Sequence, residues 1–233
     1  MICKPFKCIF VHIPKAAGRS VELYFMNRLK LDRENAAHRE QLLLTDNDDP
    51  AKGTEKLSHL SAAEYVRCGH IPQQDFDTYY KFSFVRNPWS RLVSEYRYRN
   101  FLSHKSFKDF AMNKLPEPGW GDKYRHVMPQ SEMLHDDNGH LLLDFVGKFE
   151  NLQQDFDHVC KQLGFARSRL LHINSSDKKS REFRRRARNF LYRNKESGLR
   201  KYIDFYDKET REYVAELYQA DIKNFNYSFK DAI

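Results

Sequence analysis

Twice in this chain an apolar run stops abruptly at a polar turn and a helical pattern follows at once. That arrangement restricts the fold more than any other feature of the sequence. The first run, residues 7–13 (KCIFVHI), has the β-branched and aromatic character of a buried strand; Pro14 ends it. The loop Lys15-Ala16-Ala17-Gly18-Arg19-Ser20 follows, and residues 21–26 then have helical spacing. The second run, residues 80–85 (YKFSFV), ends at Arg86-Asn87-Pro88 and leads into a helix over 90–99 with Leu92, Val93 and Tyr96 inward. Repeated strand–turn–helix units predict an α/β fold: a central, mostly parallel sheet flanked by helices. A further strand is predicted over 141–149 and a helix over 152–163, stopped by Gly164; residues 207–225 read as one amphipathic helix. Ser61-Ala62-Ala63-Glu64 reads as a capping box opening a helix that runs to about Cys68. Residues 42–54 and 114–121 carry the turn formers of loops. Without repeats or a linker, residues 1–233 read as one domain.

Composition narrows the class. Hydrophobic residues make up 40% of the chain and aromatic residues 14%, which supplies a packed core and argues against disorder. No apolar run approaches the roughly 20 residues that span a bilayer. Met1-Ile2-Cys3-Lys4-Pro5 lacks a leader pattern, so a cytoplasmic location is the expectation. Cys3, Cys8, Cys68 and Cys160 have no ligand spacing and read as reduced thiols rather than a zinc site. The net charge of +8 is local: residues 177–201 hold 11 Lys/Arg against 3 Asp/Glu, and the remainder balances.

Each strand-end turn is a candidate anion site. A loop entering a helix presents unpaired backbone N–H groups and the positive end of the helix dipole. Small residues at Ala16, Ala17 and Gly18 admit an anion to the backbone, Lys15 and Arg19 add charge, and Ser20 adds a hydroxyl. The pattern GxxxxGK[ST] is absent, which disfavours an ordinary ATPase or GTPase; the plainer reading is a tight turn with two surface cations. At the second turn Arg86, at the strand end, and Ser94, eight residues on, can face one anion; the plainer reading is a salt bridge and a helix-surface serine.

Together these segments resemble the sulfotransferases that use 3′-phosphoadenosine 5′-phosphosulfate (PAPS), specifically the carbohydrate sulfotransferase branch with its P-loop-like domain. His12-Ile13-Pro14-Lys15-Ala16-Ala17-Gly18-Arg19-Ser20 is similar to that family's 5′-phosphosulfate loop, and residues 84–94 to its 3′-phosphate motif. Pro129-Gln130-Ser131, residues 144–152 with Asp155-Phe156, and Tyr218, Asp221, Ile222, Phe225 and Tyr227 extend the likeness over nearly the whole chain. The resemblance implies in-line sulfuryl transfer to an acceptor hydroxyl, that of a carbohydrate or another hydroxylated small molecule, without a metal. Lys15 would neutralise the leaving group, Ser20 and the loop amides would hold the 5′-phosphate, and Arg86 with Ser94 the 3′-phosphate. His59, in Ser58-His59-Leu60-Ser61, is similar in position to the histidine base of the related 2-O-sulfotransferases; His70 competes, and His126 stands further off. Trp120, Tyr124, His126 and Gln130 are candidates to line the acceptor. The family often has Thr-Gly-Gly-Thr-Ser after the lysine; Ala17 in place of Gly implies a position that needs no positive φ.

The basic segment at 177–201 reads as a helical insertion with one apolar side. A solvated face, an acidic glycan, the PAPS phosphates or an anionic membrane each suit it. Two rival functions remain at this point, a nucleoside or small-molecule kinase and an RNA-binding module. The second lacks nucleic-acid signatures. Oligomeric state is not legible.

Overall fold

The computed structural model describes residues 1–99, 106–170 and 201–230. Its centre is a four-stranded sheet in the order β1 (Ile2–Cys3), β2 (Cys8–Val11), β3 (Tyr80–Val85), β4 (Phe145–Lys148). β1 runs antiparallel to β2, whereas β2–β3 and β3–β4 are parallel. The α/β class with a mostly parallel sheet is thus the fold that forms. Parallel neighbours need long crossovers, and helices fill them. Between β2 and β3 lie α1 (Gly18–Arg28), α2 (Ala36–Glu40), α3 (Glu64–Arg67) and α4 (Gln73–Thr78). Between β3 and β4 lie α5 (Pro88–Tyr98), α6 (Phe107–Asn113), α7 (Asp122–Arg125) and α8 (Gln130–Leu134). After β4 come α9 (Leu152–Gln162), α10 (Lys208–Leu217) and α11 (Gln219–Asn224).

The unbroken apolar character of β2 follows from burial on both faces. Ile9 and Val11 pack with Leu57, Leu60 and Tyr65 on one side; Cys8 and Phe10 pack with Val21 and Phe25 of α1 and with Phe82 and Phe84 of β3 on the other. Each such side chain contributes about 1.5–3 kcal/mol when fully buried. A third cluster joins Leu92, Val93 and Tyr96 of α5 to Phe107 and Phe110 of α6 and to Val214 and Tyr218 of the tail.

Register positions the chemistry. Val11 lies opposite Ser83, whose hydroxyl donates to the Val11 carbonyl at 2.7 Å. The loops leaving β2 and β3 therefore emerge side by side at the carboxyl end of the sheet, where open α/β sheets bind ligands.

Three local expectations change. The strand predicted over 141–149 is only Phe145–Lys148, because β3 offers partners from Phe82 to Val85 alone and Phe149 already turns into a short helical segment. The single tail helix is two, broken at Tyr218 (φ −111°, ψ 30°). Tertiary bonds enforce the break: the Tyr218 hydroxyl donates to the Val127 carbonyl at 2.6 Å, and the buried Asp221 carboxylate accepts from the Gln130 and Ser131 amides that open α8. The capping box is half formed: the Ser61 N–H donates to Glu64, but the helix begins only at Glu64, which is also held by Arg125 at 2.6 Å. Of the basic segment only Lys201 is described; the predicted helical insertion lies outside the described residues.

Candidate active site

The loop after β2 is shaped by two residues in left-handed conformation, Lys15 (φ 71°) and Ala17 (φ 70°). This corrects the expectation drawn from Ala17: the position does adopt positive φ although it is not glycine. The turn is needed to swing the chain from β2 into α1, and Ala17 bears a strain of roughly 1–2 kcal/mol for it. Gly18 has a different reason to be glycine. A Cβ there would sit 1.9 Å from the His12 ring, so only a bare backbone lets that ring cover the helix start. No side chain caps α1 and its first turn carries no carboxylate. Its positive end is therefore open to an anion.

Lys15 lies two residues before the Ala17 cap position, and its ammonium is 3.8 Å from the Tyr98 ring centre. Burial pushes its pKa down to about 8, partly offset by Glu95 and reinforced by Arg86, Arg99 and Arg19. Arg19 is exposed and Ser20 is buried. The turn after β3 brings Arg86 alongside: its Nη1 donates to the Lys15 carbonyl at 3.1 Å, its Nε donates to Ser90 Oγ at 3.1 Å, and the guanidinium lies 4.2 Å from the Phe149 ring centre. Burial lowers its pKa to about 10, against the pull of Glu150. Ser94, half-buried, follows Ser90 by one helical turn and so shares that face of α5. Lys15, Arg86, Ser90 and Ser94 thus border one region.

Beyond Tyr98 lies a histidine cluster. The His126 ring stacks on Tyr98 (5.6 Å between centres), His59 meets His126 edge-on (5.3 Å), and His12 meets His59 edge-on (4.8 Å). Each is paired with a carboxylate, and Asp122 also lies 3.5 Å from His126 Nε2. His12 Nδ1 is 2.6 Å from Glu22, His59 Nδ1 is 2.5 Å from Asp122, and His126 Nδ1 is 2.7 Å from Glu95. Burial holds the His59 pKa down at about 4, despite the Asp122 hydrogen bond. Burial raises Asp122, but the His59 and His126 interactions outweigh it and leave the carboxyl at about 2. His59 is accordingly a neutral imidazole that donates Nδ1–H to an ionised carboxylate, leaving Nε2 as the basic atom. Donor atoms of His59, Asp122 and His126 lie within 4.8 Å of one another. The His59–Asp122 separation is shorter than the roughly 3.3 Å between two ligands of one tetrahedral ion, and is that of a proton-sharing pair.

Other sequence candidates are placed elsewhere. His70 Nε2 donates to the Lys52 carbonyl at 2.8 Å, on the loop side of α3, and no contact joins it to Lys15 or the histidine cluster. Gln130 does not line an acceptor site. It is fully buried, its amide accepts from the Arg86 N–H and donates to the Arg86 carbonyl, both at 2.8 Å, and it also donates to Asp221. Gln130 positions Arg86. Trp120 is tied through its carbonyl to Thr54 and Glu55, and its buried indole N–H has no hydrogen-bond partner among the described residues. Sequence reasoning missed Asp122, Glu95, Glu22 and Arg91. Arg91, 2% exposed, donates to the carbonyls of Pro14, Met128 and His126 and so ties the loop after β2 to the histidine cluster.

An open helix end and a desolvated cation at adjacent parallel-strand ends form a site suited to an anionic group. Comparison with known proteins specifies the group: the chain belongs to the Sulfotransferase family, whose description matches residues 1–228. Membership implies a sulfotransferase activity. It is 27% identical over 179 residues to Carbohydrate sulfotransferase 9 of Homo sapiens, a match covering 65% of this chain and 38% of the human protein. An uncharacterized protein of Archaeoglobus fulgidus is 32% identical over 109 residues, 43% of this chain and 81% of that one. No solved structure matches.

Proposed function

We propose that the protein transfers the sulfuryl group of PAPS to a hydroxyl of a carbohydrate acceptor, with His59 as general base. The observation that carries this reading is the hydrogen bond from the Arg86 guanidinium to the Lys15 carbonyl, which ties the two anion-attracting turns together. A nucleotide phosphorylated at both ends needs two such sites; ATP needs only one. The uncapped α1 amides and Ser20 suit the 5′-phosphate, and Arg86 with Ser94 suits the 3′-phosphate. Lys15, kept charged near neutrality, faces the negative charge that develops on the leaving oxygen. His59 takes the acceptor proton at Nε2 while Asp122 fixes its tautomer and orientation, the role a carboxylate plays beside any histidine base. The likeness to a protein named as a carbohydrate sulfotransferase supports the acceptor class.

Calorimetry with 3′-phosphoadenosine 5′-phosphate, AMP and ATP tests the donor. Binding that requires the 3′-phosphate is the expected result. Preference for ATP would return the kinase reading, and a salt-steep affinity for RNA with no nucleotide binding would return the RNA module.

A further inference from the structure

The turn that carries Arg86 is braced by a segment far along the chain. Asn87, the next residue, donates from Nδ2 to the Ser228 carbonyl, 141 positions on, at 2.8 Å. What brings that segment in is the end of α11. Asn226 is left-handed (φ 49°), its N–H donates to the Lys223 carbonyl at 3.4 Å, and the Tyr227 N–H donates to the Ile222 carbonyl at 3.0 Å. That pair of bonds closes a helix end and reverses the chain. Tyr227 is consequently buried, 6% exposed, with its ring 4.5 Å from the Lys148 ammonium and its hydroxyl donating to Glu150 Oε2 at 2.9 Å.

Glu150 thus has a partner for each oxygen, since Oε1 accepts from the Asn87 N–H at 2.9 Å. The carboxylate sits close to Arg86 by two routes. Asn87 follows Arg86 in sequence, and Phe149, which precedes Glu150, lies against the Arg86 guanidinium. Burial lowers the Arg86 pKa, and Glu150 is the largest influence opposing it. Even so, the guanidinium donates to Ser90 Oγ and to the Lys15 carbonyl, and none of its hydrogen bonds goes to Glu150. Anchored at both oxygens, the carboxylate is held off the guanidinium. Released at one oxygen, it could turn and form a charge-assisted pair, occupying the donors that a phosphate would use. Burial, with the Glu150 charge added, raises the Tyr227 phenol well above its ordinary value, so it stays protonated and remains a donor.

We propose that Tyr227 is a positioning residue of the donor site: by anchoring Glu150 it keeps that carboxylate off Arg86 and reserves the guanidinium for the 3′-phosphate. The proposal rests on the reading of Arg86 as the 3′-phosphate ligand and adds a residue that sets its selectivity.

Calorimetry on the full chain, with 3′-phosphoadenosine 5′-phosphate and AMP, tests it. Tyr227→Phe removes one oxygen and keeps the ring. It should weaken binding of the 3′-phosphorylated nucleotide about tenfold, the loss expected if Glu150 then holds Arg86 about nine-tenths of the time, and leave AMP binding unchanged. KM for PAPS should rise by the same factor, with kcat at saturating donor unchanged. Adding Glu150→Gln to Tyr227→Phe should restore the wild-type preference, because a neutral amide competes only weakly for a guanidinium. A purely structural role for Tyr227 predicts a double variant no better than the single one, and that result overturns the proposal. So does Tyr227→Phe with wild-type affinity, or with an equal loss for AMP. Should Tyr227→Phe fail to fold, Glu150→Gln alone decides: it should bind 3′-phosphoadenosine 5′-phosphate at least as tightly as the wild type, and weaker binding overturns the proposal. Failure of the donor reading looks different: the wild type itself would show no preference for that nucleotide over AMP.

Discussion

The turns after β2 and β3 do the same job by opposite means. Both carry the chain from a parallel strand into an eleven-residue helix, and both present a cation. The first is held by backbone strain, with Lys15 and Ala17 at positive φ and no side-chain hydrogen bond capping the helix start. The second is held by side chains. Pro88 presets the entry, Asn87 caps α5 by accepting from the Ser90 N–H at 3.2 Å, Glu150 accepts the Asn87 N–H, and Gln130 clasps Arg86 through both its carbonyl and its N–H. A capped helix has committed its amides. The first turn therefore keeps the backbone donors for an anion, while the second relies on the Arg86 guanidinium and the hydroxyls of α5. One fold thereby offers a backbone site and a side-chain site within reach of a single ligand.

Removing the two cations separates those roles most sharply. Lys15→Ala should lower turnover by about 10²–10³, the usual cost of one transition-state stabiliser, with little loss of nucleotide affinity. Arg86→Ala should instead abolish the preference for 3′-phosphoadenosine 5′-phosphate over AMP. Steady-state kinetics paired with calorimetry reads both. Wild-type turnover in either variant contradicts the assignment.

The histidines allow a second comparison of comparable size. His59 is buried against a carboxylate, whereas His70 is bonded to a backbone carbonyl on the loop side. His59→Asn should cost roughly 10²–10⁴ in rate and His70→Asn almost nothing. A reversal would move the base to His70; loss in His126→Asn alone would move it one ring along the cluster.

The pH profile follows from the two shifted groups. His59 must be neutral to accept a proton, and with its pKa held at about 4 it becomes charged only as pH falls through that value. Lys15 must be charged, and with its pKa lowered to about 8 it loses its proton as pH rises through that value. Free-enzyme kcat/KM should therefore be flat between about 4 and 8 and decline on both sides. Lys15→Arg should remove the alkaline limb. An alkaline limb near the ordinary lysine value of 10.5 would show that Lys15 is not the titrating cation.

The sheet and both turns were legible because they depend on local patterns: strands buried on both faces, a proline, a run of small residues. The partners of the site were not. Asp122 lies 63 residues from His59 and Glu95 lies 31 from His126, and nothing in spacing alone pairs them. Gln130 misled for the same reason: an amide beside a proline suits a sugar until the fold sets it on Arg86. The strain at Ala17 was hidden because alanine normally avoids positive φ, and only the closure of β2 onto α1 imposes it.

The smallest effect bears most directly on the contrast between the two turns. Ala17→Gly relieves a left-handed alanine but adds freedom to the unfolded chain, which costs about 0.4–1 kcal/mol of the roughly 1–2 kcal/mol released. The net should be a gain of about 0–1.6 kcal/mol, a Tm rise of at most about 3–6 °C for a chain of this length. Asn87→Ala should move stability the other way, by about 0.5–2 kcal/mol, because it strips the cap from α5. Thermal melts of the two variants side by side measure both signs. If Ala17→Gly instead destabilises as an ordinary helix-start glycine would, the first turn is not strained, and its open amides need another explanation.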